Sequence, residues 1–408
     1  MKTINIPSSK SQTIRALIIA CFARGKSILN NPLLSSDTQA CLDALKTLNC
    51  DIKFNEDSSK LYVDSSNLDI KDKTITIDTA NSGTTTYLLY GLLSTLGAKE
   101  IILTGDEQLN NRPIKKLVDA YKDLGVEAQM NGENPPVKIL SVLKGGKTTI
   151  ECKTSQYLSS LLLSLPLAKE DSEVTCSLLY EKPYVNLTLD WLDKQNIEYK
   201  ISEDFLHTHI KGGQKYKPFE TTLTGDFSSA SFFFVAAAIL GTEIKINGLD
   251  ENDKQGDKRL LDILTAMGCE VKWEDFSVIV KGPKELKGGT FDLNDIPDAL
   301  PILSICGLKT TSALHLVNVE QARIKETDRI SCMCSNLKIL GANIEERNDG
   351  MSISKGKVKT GQLVSGYSDH RIIMAMAICS LIIDLEIDDK AAVDVTFPSF
   401  FELFDSIK

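Results

Sequence analysis

No stretch of this chain stays apolar for long: the longest run, Phe232 to Leu240, is too short to span a bilayer. Lys and Arg never gather into a run that could offset the formal net charge of −9, which argues against a nucleic-acid surface. The opening MKTINIPSSK lacks the apolar core of a secretory signal, so a cytoplasmic protein is expected. Zinc-ligand spacing is missing as well. His207 and His209 would share one strand face, and Cys332 and Cys334 sit two apart on a helix, but neither pair has partners at the required intervals, so no metal site is expected. There is no nucleophile elbow, no phosphate loop ending in Gly-Lys-Ser/Thr, and no G-x-G-x-x-G after a strand. Any chemistry must therefore be assembled from scattered polar residues. With 42% apolar and 25% charged residues, the composition is that of a soluble globular protein. Its ten cysteines are irregularly spaced and several fall inside apolar helices (Cys21, Cys306, Cys379), so they are expected to be small core residues kept reduced.

What the chain does contain is repetition. Six times, at intervals of about 72 residues, a short polar segment runs into a compact helix of small and apolar residues. These starts fall near Ser9, Asn81, Ser155, Ser228, Pro297 and Asp369. Ile14, Leu17, Ile18 and Cys21 recur at i, i+3, i+4 and i+7, the period of a helix. Gly25, Gly97, Gly241 and Gly307 close four of the helices, where a left-handed stop is expected. After most copies comes a strand-like stretch, then an amphipathic helix, then an alternating strand such as CDIKF, VEAQM or CEVKW. A unit this long is a folding module rather than a solenoid repeat. A single core rarely grows past about 250 to 300 residues, so two halves of three modules each are expected, meeting near Leu223 to Asp226.

The polar helix starts carry the candidate chemistry. A helix N-terminus presents unpaired N–H groups and about half a positive charge, and so favours anions. In SKSQTIR, Lys10 stands between Ser9 and Ser11, and Arg15 shares a face with Ser11. NSGT, from Asn81 to Thr84, offers small side chains and Gly83, which lets the backbone approach a ligand. Thr154, Ser155 and Gln156 supply two hydroxyls and an amide. Taken singly, each of these is a helix cap. Denser groups reinforce them. Arg112 stands just before a helix, Arg323 to Arg329 packs five charged groups into seven residues with Lys325 and Arg329 on one helical face, and Asp369-His370-Arg371 opens the sixth helix. Together they suggest a cleft for two anionic small molecules.

At this point the residues carry a family resemblance. PSSKSQTIRAL, NSGT, NRPI, TSQY, KPY, GDFSSAS, QGD, IPDA, IKETDRI, DHR and TFP occur in the order of the 5-enolpyruvylshikimate-3-phosphate synthase family, and over essentially the whole chain. KETDR with a downstream DHR is the specific part. The resemblance implies an α/β fold: a two-domain inside-out α/β barrel of six βαβαββ-type modules, three per domain. One domain would comprise residues 1–8 and 225–408, including the first strand, and residues 9–224 would form the other, inserted. It implies transfer of the enolpyruvyl group of phosphoenolpyruvate to the 5-hydroxyl of shikimate 3-phosphate, without metal or organic cofactor, by a cytoplasmic monomer that has no nucleic-acid or membrane partner. Its cleft would stand open without ligands and close around them.

On matching positions, the resemblance assigns Asp298 and Lys325 to the acceptor hydroxyl, and Glu326 with Lys10 to the methylene proton. Arg112, Arg329 and Arg371 would bind phosphoenolpyruvate. Ser11, Arg15, Thr154, Ser155, Gln156, Tyr184 and Gln321 match acceptor-binding positions. Asn81, Gly83, Thr84, Asp369 and His370 would line the reacting centre. The chain departs from the family pattern at Ser8 (Gly), Tyr87 (Arg), Glu181 (Ser), Gln321 (Asn) and Val395 (Lys). These changes leave two alternatives open, an enolpyruvyl transferase with a different acceptor and a non-catalytic binding homologue.

Overall fold

The computed structural model describes all 408 residues, Met1–Lys408. The chain separates into two compact units, one made of Met1–Ser9 with Thr224–Lys408 and the other of Lys10–Leu223. No helix is long and apolar enough to cross a membrane.

In the Lys10–Leu223 unit, three sheets share one plan. Thr74–Asp78 lies parallel to Glu100–Thr104, which runs antiparallel to Val137–Ile139, which runs antiparallel to Ala128–Met130. Gly146–Cys152, Ser172–Leu179, His207–Ile210 and Tyr199–Ile201 repeat that order. In the remaining sheet Lys26–Asn30 pairs with Lys60–Asp64 and then Asp51–Phe54, but its parallel partner is Glu220–Thr222, from the far end of the unit. The first two of these sheets are thus strand, helix, strand, helix and hairpin, with the first helix making the crossover that a parallel pair requires, whereas the third takes its parallel strand from the end of the unit.

The other unit follows the same plan. Lys2–Asn5 is the parallel partner of Glu243–Asn247, followed by Ser277–Lys281 and Glu270–Glu274. Gly289–Asp292, Leu314–Val317, Gly350–Ser354 and Asn343–Arg347 form a second sheet. The sixth module is abbreviated: Gln362–Val364 pairs only with Leu385–Ile387, and a short helix, Phe400–Ser406, follows in place of a hairpin. Aromatic rings take over the covering role there. Phe400 meets Phe232 edge-on at 5.8 Å and Phe233 at a tilt at 5.9 Å, and Phe397 meets Phe233 at 6.2 Å.

The six repeated helices lie inside. Phe227–Leu240 is buried at every position from Phe227 to Ile239, and Gly83–Leu93 and His370–Cys379 are almost as fully enclosed. A helix apolar all round belongs in a core rather than on a surface. The second helix of each module, for example Lys115–Asp123 with Leu117, Val118, Ala120 and Tyr121 buried, keeps one polar face. Helices inside and sheets outside make the arrangement an inside-out α/β fold.

Three local expectations need correction. Gly97 and Gly241 do take left-handed conformations (φ 70° and 63°), but Gly307 ends its helix in the right-handed region at φ −59° and Arg24, not Gly25, has φ 51°. The two exceptions are glycines for space: a Cβ at Gly25 would run into Pro218, and one at Gly307 into Ile353. Lys325 is not on a helical face with Arg329. Asp328 Oδ1 accepts from Ser331 N at 3.0 Å and so starts the helix Arg329–Ile339 after itself, leaving Lys325 in the preceding turn. Finally, the cysteines are not all reduced: Cys21, near the end of the first repeated helix, forms a disulfide with Cys50, just before Asp51–Phe54. The other eight are free thiols.

Phe233 is fully buried under Phe397 and Phe400. Truncation leaves a cavity that helix and aromatic lid cannot both close, so Phe233→Ala is expected to lower the unfolding free energy by about 3–5 kcal/mol in urea titration.

Candidate active site

In the unit that contains Thr224–Lys408, the site is organised by one guanidinium. Arg329, only 1% exposed, donates from Nη1 to Asp298 Oδ1 at 2.7 Å and from Nε to Asp369 Oδ2 at 2.8 Å. Its Nη2 reaches Asp369 Oδ1 at 3.2 Å and also Glu326. Three carboxylates from three segments thus converge on one side chain. The second oxygen of Asp298 pairs with Arg371 Nη2 at 3.0 Å, and Arg371 Nη1 donates to Ser228 Oγ at 2.7 Å. Thr327 Oγ1 donates to Asp369 Oδ2 at 3.0 Å, while Asp369 Oδ1 also caps the sixth helix by accepting from Arg371 N at 2.9 Å.

Charge balance here sets protonation. Burial pushes the Asp298 carboxyl up, but Arg371, Lys325 and Arg329 outweigh it and hold it well below the usual carboxylate range, against a smaller upward push from Glu326. Burial alone would weaken the Arg329 cation, yet Asp369, Glu326 and Asp298 raise its affinity for the proton further still. His370 behaves differently. Burial drives its imidazole down to about 3, because Asp369 and Glu326 on one side are countered by Arg371 and Arg329 on the other. Its Nε2 has no hydrogen-bond partner. A neutral imidazole in that position can accept a hydrogen bond but is not a proton reservoir near neutrality.

The Lys10–Leu223 unit carries a separate set of groups. Lys10 opens the first repeated helix and pairs at 3.0 Å with Asp37, a buried acid in the first turn of Ser36–Lys46. Arg15, 1% exposed, donates from Nε to Thr188 Oγ1 at 2.9 Å, from Nη1 to Ser11 O at 3.1 Å and from Nη2 to Tyr184 O at 3.3 Å. All three acceptors are uncharged, so burial lowers this guanidinium to about 10, and an anion in reach would be strongly attracted. Arg112 Nη2 donates to Asn81 Oδ1 at 2.9 Å, and its Nη1 would lie 2.9 Å from a Cβ on Gly83. Gly83 is therefore the residue that lets the guanidinium settle against the start of the helix Gly83–Leu93. Thr84 lies in the first turn of that helix, Gly83–Leu93.

The departures from the family pattern occupy defined places. Glu181 is buried, sits in the left-handed region at φ 59°, and seats its carboxylate on the start of the helix Ser155–Ser164. It accepts from Ser155 Oγ at 2.9 Å, Ser155 N at 3.2 Å and Thr154 Oγ1 at 3.4 Å. Gln156 adjoins it, with Oε1 unbonded. Thr154 also caps that helix, as its residue type alone suggests. Tyr87 donates to Pro113 O at 3.2 Å beside Tyr157, which donates to the same oxygen at 2.7 Å; the pair braces the residue after Arg112. Gln321 is buried and donates to Asn294 O at 2.9 Å. Val395 ends a short 3₁₀ turn, Ala391–Val395. His207 and His209 are both exposed on the strand His207–Ile210, and no cluster of three or more His, Cys, Asp or Glu is arranged to hold a metal.

A model of the family EPSP synthase (3-phosphoshikimate 1-carboxyvinyltransferase) matches residues 1–404. The chain belongs to this family. The 3-phosphoshikimate 1-carboxyvinyltransferase of Acetivibrio thermocellus is 44% identical over 402 residues, covering 97% of this chain and 93% of its own. The protein of the same name from Methanococcus vannielii is 35% identical over 415 residues, with 99% and 95% covered. A solved EPSP synthase from Acinetobacter baumannii superposes with a TM-score of 0.82 at 25% identity, covering 99% of this chain and 94% of that one. EPSP synthases therefore share both the sequence and the inside-out fold described above.

Sequence reasoning missed Asp37, the partner of Lys10, and Gln108, which accepts from Asn81 Nδ2. Asp37 follows a Ser cap and reads as an ordinary first-turn acid, and Gln108 lies in a polar loop with no motif. Only the folded neighbourhood singles them out.

The His370 geometry has a pH consequence. Its folded value, about 3, lies below the ordinary 6.5, so the unfolded chain binds the extra proton between those values. The His370 contribution to stability is complete above about pH 6.5 and is lost as the pH falls toward 3. Urea titrations across that window should show a slope that His370→Gln removes, and the His370 carbon resonances should stay those of a neutral ring at pH 5.

Proposed function

We infer that this chain transfers the enolpyruvyl group of phosphoenolpyruvate to the 5-hydroxyl of shikimate 3-phosphate and releases phosphate, a step of the shikimate pathway. The family membership supports the reaction. The observation that carries it at the level of residues is the Arg329 cluster, which holds two chemically active carboxylates, Asp298 and Glu326, at one basic centre.

The reaction is an addition followed by an elimination. A proton goes to the enol methylene carbon while the acceptor hydroxyl loses its proton and its oxygen bonds to the adjacent carbon. In the second step the methyl proton leaves, the double bond re-forms and the phosphate–carbon oxygen bond breaks. Asp298, held ionised by Arg371, Lys325 and Arg329, is suited to orient and deprotonate the hydroxyl. Glu326, with Lys10, is assigned the methylene proton. Arg112 and Arg371 suit the carboxylate and phosphate of phosphoenolpyruvate by planar, two-pronged contacts. Arg329 has most of its donors committed to Asp298, Glu326 and Asp369, so its part is to fix those acids. Arg15, Ser11, Thr154, Gln156 and Tyr184 form the acceptor side, where the buried, acid-free Arg15 supplies the attraction. We further propose a cytoplasmic monomer, with the two compact units as its domains.

A second reading is favoured by Glu181 alone. A carboxylate about 5 Å from a bound phosphate, at an effective dielectric near 20, costs roughly 3 kcal/mol per unit of phosphate charge. Because Glu181 occupies the donors of the Ser155 helix start, an acceptor without a phosphate at that place would suit the chain better.

One assay separates these readings. Phosphate release from phosphoenolpyruvate with shikimate 3-phosphate is expected in the parent. Glu326→Gln should reduce turnover on the order of 10²-fold with smaller effects on binding; near-normal turnover removes Glu326 from the mechanism. Glu181→Ser should tighten shikimate 3-phosphate binding, measured by calorimetry, by about tenfold or more. An unchanged affinity means the carboxylate and the acceptor do not compete.

A further inference from the structure

We propose that Gln108 is a positioning residue: through the side-chain amide of Asn81 it orients the guanidinium of Arg112 for an anionic substrate. The proposal rests on the function inferred above only for its kinetic consequence, because the geometry stands by itself.

Arg112 has donors and no acceptor, so the Asn81 group facing its Nη2 at 2.9 Å must be the carbonyl oxygen. That choice turns the Asn81 NH₂ the other way, and the acceptor waiting there is Gln108 Oε1. The polarity of the relay is thus set from the arginine outward. Remove Gln108 Oε1, and the NH₂ of Asn81 loses its partner, so that the amide is free to rotate and present a donor to the cation.

The loop that delivers Gln108 is itself fastened. Asp106 N donates to Ala80 O at 2.9 Å, placing the loop against the residue before Asn81. Asp106 Oδ1 accepts from Leu109 N at 2.8 Å. Asn110 closes the turn, accepting from Gly105 N at 3.2 Å and donating to Gly105 O at 2.7 Å. At Gly105 a Cβ would collide with Ala80 O and Leu109, so the close approach of loop and strand end requires glycine. On the far side, Gly83 leaves room for the Arg112 guanidinium, while Tyr87 and Tyr157 grip the carbonyl of Pro113. The arginine is therefore held at Asn81, over Gly83 and beside the fastened Pro113 carbonyl, and Gln108 acts on it through the Asn81 amide.

Gln108 lies in a half-buried loop position, so Gln108→Leu is expected to fold with an unchanged thermal midpoint. The first readout is hydrogen exchange of the Asn81 side-chain amide in asparagine-labelled protein, its signals identified by their loss in Asn81→Ala. In the parent these protons are expected to be protected, and in Gln108→Leu to exchange about tenfold faster or more. The second is kinetic: KM for phosphoenolpyruvate should rise about tenfold in Gln108→Leu with kcat within about twofold, and the same change in an Asn81→Ala background should add less than about twofold. Unchanged amide exchange overturns the proposal, as does an equal KM effect in both backgrounds. If the parent releases no phosphate at all, the functional reading fails, and the amide exchange still decides the role of Gln108.

Discussion

One buried cation holds half of this chemistry in place. Arg329 is almost inaccessible, cannot lose its proton, and satisfies its charge with Asp298, Glu326 and Asp369 from three separate segments. Removing the guanidinium from such a cluster leaves buried carboxylates facing one another without it, a loss of about 3–5 kcal/mol. The fifth and sixth modules are tied to each other by this interaction rather than by strand pairing, since their sheets do not share a strand. Burial works against the Asp298 charge and Arg371, Lys325 and Arg329 together overcome it, whereas His370 is neutral chiefly because it is buried.

The other unit shows the opposite arrangement. Arg15 is as deeply buried as Arg329 but meets only neutral oxygens, and burial weakens its hold on the proton where the Arg329 cluster strengthens it. A protein that buries a cation without an acid beside it has left a seat for an anion from solution. Close by in the fold, Glu181 has placed a carboxylate of the chain's own on the Ser155 helix start, in a backbone conformation that non-glycine residues seldom adopt. These two observations pull the acceptor preference in different directions.

The repeat explains why such groups gather at all. A parallel pair needs a crossover, and in four modules that crossover is the inner helix, which follows the first strand; Lys10–Phe22 and Phe227–Leu240 instead follow Lys2–Asn5 and Glu220–Thr222, whose parallel partners are Glu243–Asn247 and Lys26–Asn30. Short side chains with an acceptor oxygen cap these starts: the hydroxyls of Ser82 and Thr154 and the carboxylates of Asp226 and Asp369. Capping and ligand binding draw on the same donors, and the cap reading holds at Ser82 and Thr154, whose side chains accept from backbone N–H groups of the first turn.

Periodicity determined the six modules and their leading helices, because it depends on local hydrophobic spacing, and motif order determined the family resemblance, which in turn implied the inside-out α/β plan. Arg15 with Ser11 was legible for the same reason, being one helical turn apart. What depended on meetings between distant segments was not. The Cys21–Cys50 disulfide, the pairing of Glu220–Thr222 with Lys26–Asn30, and the abbreviated sixth sheet with its phenylalanine lid appear only when the chain is folded, whereas the place of the first strand with residues 225–408 was already implied by the family resemblance. Lys325 looked helical by spacing, but a cap at Asp328 began the helix later. Asp37 behind Lys10, Glu181 on Ser155, and Gln108 behind Asn81 and Arg112 carry no signature of their own. Each is an ordinary polar residue whose meaning comes from the charge or amide that the tertiary structure sets against it.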